Sequence, residues 1–219
     1  MDQSKQLEVI SAVQSGDVEN LRRLITADRS LASARDASGV SALMHALYGR
    51  RPNIAELLLS SGPALDIFEA TAAGKADRVC EILDEDPDVV KSWSADGFTA
   101  LHFAAFFRKE EIARTLIRRG CDPAACSRNA MRVTPLHSAA AAASSDIVRL
   151  LLEAGSPVNE RQQGGWTALH AAAENGDKEM VKTLLEHGAD PLIASDEGKT
   201  PSQLAQAKGY EEILRVLSQ

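Results

Sequence analysis

The side chains able to do chemistry in this chain are few and widely spaced. His102, His137 and His170 stand 35 and 33 residues apart, and Cys121 and Cys126 are separated by four residues. Histidine and cysteine together would suggest zinc, whose ligands must all lie within about 2.1 Å of one point. The cysteine pair has no second ligand pair near it in sequence, so neither metal nor any other cofactor is expected. There is no Ser/His/Asp or Cys/His arrangement for nucleophilic catalysis, no glycine loop fit to cradle phosphate, and no carboxylate pair with a reason to be buried. The acidic run from Asp84 to Asp88 reads as a solvated loop rather than a docking site. No enzymatic activity is expected.

The elements that carry these residues are clearest from Gly165 to Leu192. Thr167 is suited to cap a helix over 168–174, because its hydroxyl can accept from the free N–H groups of a first turn. Asn175 and Gly176 stop that helix, and a second follows over 178–187, with Met180, Val181, Leu184 and Leu185 on one face. Gly188 closes it. Helices shorter than about 12 to 15 residues are marginal alone in water, so the unit must stack on others.

Near-copies fill most of the chain. Aligned on Thr167, the equivalent sites are Leu7, Ser41, Leu65, Thr99, Thr134, Thr167 and Thr200, at intervals of 34, 24, 34, 35, 33 and 33 residues. The T-x-L-H box at Thr99 to His102, Thr134 to His137 and Thr167 to His170, the LL-x-x-G-A-D run at Leu184 to Asp190, and the period near 33 resemble the ankyrin repeat. The resemblance covers essentially the whole chain. It implies an all-α solenoid of antiparallel helix pairs with β-hairpin fingers, one finger missing near residue 62, where the interval shrinks to 24. It also implies that each box histidine is a neutral structural group bonded to its threonine, and that the protein is a protein-binding scaffold with no chemistry of its own.

On this reading residues 1–219 form one domain. Its units are an N-terminal cap at 4–38, then 39–62, 63–96, 97–131, 132–164 and 165–197, and a C-terminal cap at 198–219. A gap or kink on the finger side is expected between the second and third units. The finger before Thr134 is two residues longer than the pattern and has Arg132 where the turn glycine should stand.

Bulk properties set limits. No segment approaches the roughly 20 apolar residues of a membrane span, and no basic-then-apolar leader opens the chain. With an odd count of three cysteines, these features point to a reducing, cytoplasmic location. The net charge is −7, and the one positive stretch, 97–131, carries six Lys and Arg against three Asp and Glu. A nucleic-acid partner needs more clustered positive charge than that and is not expected.

The resemblance also says which sites the fold leaves to a ligand: those at −6, −4, −3 and −1 from the box threonine on the fingers, and those at +7 and +8 at the end of the first helix. Only nine residues are aromatic, yet Tyr48, Trp93, Phe98, Phe106, Phe107 and Trp166 all fall on such sites. With Met131 and Val133 they would form a continuous apolar strip over the units at 98–188, flanked by Arg128 and Arg161. The expected function is capture of a partner protein or extended peptide, with Phe98, Phe107, Met131 and Trp166 as anchors. The alternative is a self-associating module that buries the strip in a homo-oligomer.

Overall fold

The computed structural model describes residues 3–218. Among them fourteen α-helices run in seven pairs: α1 (Gln3–Ser15) with α2 (Val18–Ala27), α3 (Ala42–Tyr48) with α4 (Pro52–Ser60), α5 (Ile67–Ala72) with α6 (Ala76–Glu85), α7 (Ala100–Phe106) with α8 (Glu110–Arg118), α9 (Pro135–Ala141) with α10 (Ser145–Glu153), α11 (Ala168–Asn175) with α12 (Lys178–Glu186), and α13 (Pro201–Lys208) with α14 (Glu211–Leu217). The first helices of successive pairs stack into one layer and the second helices into another, although the second layer is thinnest between α4 and α6. The result is a helical solenoid in which each pair buries its apolar stripe against its neighbours.

Helix starts follow capping chemistry. Ser41 accepts from the Met44 amide at 3.2 Å, and Thr99, Thr134 and Thr167 each share reciprocal bonds with the histidine three residues on. In the third unit the cap is Asp66, not the aligned Leu65. Its carboxylate accepts from the Phe68 and Glu69 amides at 2.9 and 2.8 Å, while the Glu69 carboxylate accepts from the Asp66 amide at 3.0 Å. That is a capping box of D-x-x-E type, displaced by one because the connection before it lost its finger. In the first unit the aligned Leu7 lies inside α1 and is exposed.

The interior divides where the finger is missing. Residues from Val9 to Leu58 form one apolar cluster and those from Ile67 to Leu217 another, with half-buried Leu65 touching both. A third cluster of Met44, Ala72 and Phe103 bridges the junction, with Phe68, Phe98 and Phe107 packed on it. Of the gap or kink expected on the finger side, an open gap is not what the contacts show. Arg35 reaches over from the first finger to Asp66 and Glu69 at 3.1 and 3.0 Å. The first finger also meets the one two units on, so that a Cβ at Gly39 would sit 3.1 Å from the Ala95 Cβ.

The fingers are tight loops, each closed by a backbone bond such as Ser94 N–H to Phe98 C=O at 2.8 Å or Gln162 N–H to Trp166 C=O at 2.9 Å. The longer finger closes through Ser127 N–H and Val133 C=O at 2.7 Å, taking its two extra residues into the loop, where Arg132 adopts φ 51°. Neighbouring fingers are tied by Arg128 N–H to Gly97 C=O and Gln163 N–H to Met131 C=O, both 2.9 Å. The acidic run is more ordered than a free loop: Asp84 and Glu85 end α6, and Asp86 caps a short 3-10 turn at Pro87–Lys91.

Candidate functional site

The histidines are fixed in their role by local geometry. His102 Nδ1 lies 2.8 Å from the Thr99 hydroxyl and accepts from the Thr99 amide at 3.2 Å, while Nε2–H donates to the Val133 carbonyl of the next finger at 3.0 Å. His137 and His170 repeat the pattern toward the carbonyls of Glu160 and Lys199, at 3.0 and 3.1 Å. One nitrogen accepts and the other donates, which is the neutral imidazole. Burial enforces it, pushing His102 down to about 4 and lowering His137 and His170 as well. Burial also pushes the Cys121 thiol up to about 11, away from a reactive thiolate. Among the described residues no group of His, Cys, Asp or Glu is arranged to hold a metal ion.

The concave side, between the fingers and the ends of the first helices, holds an apolar hollow of about 400 Å³. Tyr48 and Phe106 line it from α3 and α7, and Phe98, Met131 and Val133 from the fingers, over a floor that includes Phe103 and Ser138. Phe106 and Met131 are 45% and 51% exposed, a large fraction for side chains of their kind. The hollow is held open by rings braced on one another. Phe106 meets Phe107 edge-on with centroids 5.1 Å apart, Phe107 stacks on Phe103 at 6.5 Å, and Phe98 and Phe68 meet Phe103 at 5.8 and 5.9 Å. The hub, Phe103, was not among the candidates. Its place four residues after the box threonine, on the inward helical face, marks it as core.

The candidates therefore separate. Tyr48, Phe98, Phe106, Met131 and Val133 share the hollow, although Val133 is nearly buried at 7% exposure. Phe107 is half-buried against the bridging cluster. Trp93 lies outside the hollow under the Arg128 guanidinium, 4.4 Å from its ring centroid. Trp166 is half-buried against His170, centroids 5.6 Å apart, so the strip does not continue unbroken to the sixth unit. Arg161 bonds the carbonyls of Gly165 and Ala194 and the Asp196 carboxylate, binding two fingers together.

The threonine–histidine bond is repeated across three of the stacked helix pairs. The family model for ankyrin repeats in three copies matches residues 67–162 and 142–219. The chain belongs to the ankyrin-repeat family. Similar proteins include the glycerophosphocholine phosphodiesterase gde1 of Schizosaccharomyces pombe, 30% identical over 173 residues, which are 75% of this chain and 15% of that protein. Ankyrin repeat and SAM domain-containing protein 6 of Rattus norvegicus is 33% identical over 103 residues, 47% of this chain and 12% of that protein. The ankyrin repeat protein FPV014 of fowlpox virus is 27% identical over 170 residues, 72% and 38% of the two chains. The chain thus spans well under half the length of these relatives. Ankyrin repeats generally mediate protein–protein interaction, and no described helix is long and apolar enough to cross a membrane.

Proposed function

We propose that this ankyrin-repeat chain is a non-catalytic scaffold that holds an extended segment of a partner protein along its concave side, with one large apolar side chain of the segment seated in the hollow. The observation that carries this reading is the exposure of Phe106 and Met131 at the mouth of a 400 Å³ apolar site in a chain with only nine aromatic residues. Seating a large apolar side chain there is worth about 1.5 to 3 kcal/mol before the costs of association. The site's rings are already braced, so little order has to be imposed on binding. Ser138 in its floor and Gln162 at its edge make no side-chain hydrogen bond among the described residues, which leaves both for polar groups of the segment.

The test is selection of random dodecapeptides on the wild-type chain and on a Phe106→Ser/Met131→Ser variant, with light scattering to give the mass of each. Peptides enriched on the wild type and lost on the variant support the reading. A wild type that enriches none and is a dimer, dispersed to monomers by the double substitution, would replace it with self-association.

A further inference from the structure

The hollow is mostly apolar but not neutral, and, resting on the groove reading above, we propose that the segment it takes is basic: its seated apolar residue is flanked by an arginine that reaches the Asp96 carboxylate. Among the described residues Asp96 is the only charged one that lines the hollow, since His102 and His137 each accept at one nitrogen and donate at the other. The carboxylate accepts from the Ser94 hydroxyl on one oxygen and from the Tyr48 hydroxyl on the other, each at 2.6 Å. Neither donor carries charge, so the negative charge is not cancelled by them, and each oxygen keeps a lone pair for a further donor. Asp96 forms no ion pair among the described residues. Arg128 shares the neighbouring cleft with Asp96 and Asp36, but its guanidinium lies over the Trp93 ring, 4.4 Å from the centroid.

The carboxylate is joined to the open anchor pair. Tyr48, which bonds it, meets Phe106 edge-on with ring centroids 6.4 Å apart. In an extended segment alternate side chains share a face about 7 Å apart, so an arginine two residues along from the one seated at Phe106 and Met131 comes within reach of Asp96. Ser138 is a second sign of a polar ligand: it lines the hollow, is only 9% exposed, and its hydroxyl has no partner among the described residues. Arginine suits this set of acceptors. Its planar guanidinium carries five N–H donors, for which Asp96 offers two acceptor sites and the Ser138 and Gln162 side-chain oxygens one each. It is also more weakly hydrated than the ammonium of lysine and stacks on aromatic faces, as a ring-lined site requires. An acidic segment would set like charge against Asp96.

The dodecapeptides selected above provide the test, read for composition and then titrated by fluorescence anisotropy. Peptides that depend on Phe106 and Met131 are expected to carry arginine close to an aromatic or large aliphatic residue. Citrulline in place of that arginine keeps its shape, removes its charge and leaves the protein untouched. It is expected to weaken binding about three- to tenfold, and lysine in the same place likewise. Asp96→Asn, whose carboxamide oxygen can still accept from the Tyr48 hydroxyl, should weaken the arginine peptide to a similar degree and leave the citrulline peptide unchanged. If a thermal melt shows that variant to be unfolded, the citrulline comparison decides alone. The advantage of arginine over citrulline should shrink in about 1 M salt, where the Debye length is about 3 Å. Groove-dependent peptides that are neutral or acidic, or that bind as tightly with citrulline or lysine in place of arginine, overturn the arginine preference and leave the groove reading standing. The absence of any groove-dependent peptide overturns both.

Discussion

The Tyr48 hydroxyl donates to the Asp96 carboxylate at 2.6 Å, joining the end of α3 to a finger 48 residues further on. This bond spans the place where one finger is absent, and with the Arg35 ion pairs it closes what would otherwise be a notch in the solenoid. The phenol is held well above its ordinary pKa, by burial first and then by the carboxylate it faces. Tyr48→Phe keeps the ring and removes the bond. A loss of about 1 kcal/mol is expected, measured by urea unfolding. No loss would mean that this bond adds nothing to what the aromatic rings and the Arg35 ion pairs already supply at the junction.

Acid is expected to weaken the protein through its box histidines. His102, His137 and His170 are all lowered in the folded state, His102 to about 4, while an unfolded histidine titrates near 6.5. Below about 6.5 the unfolded chain binds more protons than the folded one, so this stability is complete above that pH and declines as pH falls toward about 4. Each titrating histidine contributes a slope of up to about 1.4 kcal/mol per pH unit. His102→Gln should lessen the decline, because Gln203 fills the same place in the last unit and accepts from the Thr200 amide at 2.9 Å. Urea midpoints for wild type and variant at about pH 7.5 and about pH 5 check it.

Ala143→Gly is expected to stabilise. Ala143 is exposed and held at φ 51°, in the turn between α9 and α10, where the corresponding turn after α11 uses Gly176. Relief of left-handed strain of about 1 to 2 kcal/mol, less the entropy glycine loses on folding, leaves a gain of about 0.5 to 1 kcal/mol. A thermal melt that does not rise would count against this.

Gly165→Ala is expected to destabilise by about 1 to 3 kcal/mol. Gly165 has φ 74°, and an added Cβ would collide with the Arg161 guanidinium and the Asp196 carboxylate, breaking the tie between two fingers. Differential scanning calorimetry measures it, and an unchanged melt would show that the tie contributes nothing.

What was legible in the sequence was local. The Thr99, Thr134 and Thr167 caps could be placed from neighbouring residues, and the bond from each to the histidine three residues on was implied by the resemblance to the ankyrin repeat. Asp66 was missed because alignment by period fails across a deletion, although its own D-x-x-E pattern marks a helix start. The closed junction could not be read at all, since Arg35 meets Glu69, and Tyr48 meets Asp96, only once the stack is assembled. The aromatic strip was half legible. Position put the rings on the concave side, but Phe107 and Trp166 turned partly against Phe103 and His170, leaving Phe106 and Met131 as the open pair.

The proposed function requires Phe106 and Met131 to serve a partner rather than the fold. The most direct measurement is a paired one on wild type and Phe106→Ser/Met131→Ser: anisotropy titration with a selected peptide, and a thermal melt. A loss of affinity of about tenfold or more, with the melt nearly unchanged, is expected, since removing two apolar contacts costs a few kcal/mol of binding. Equal affinity in the two proteins, or a collapse of the melt in the variant, would contradict it.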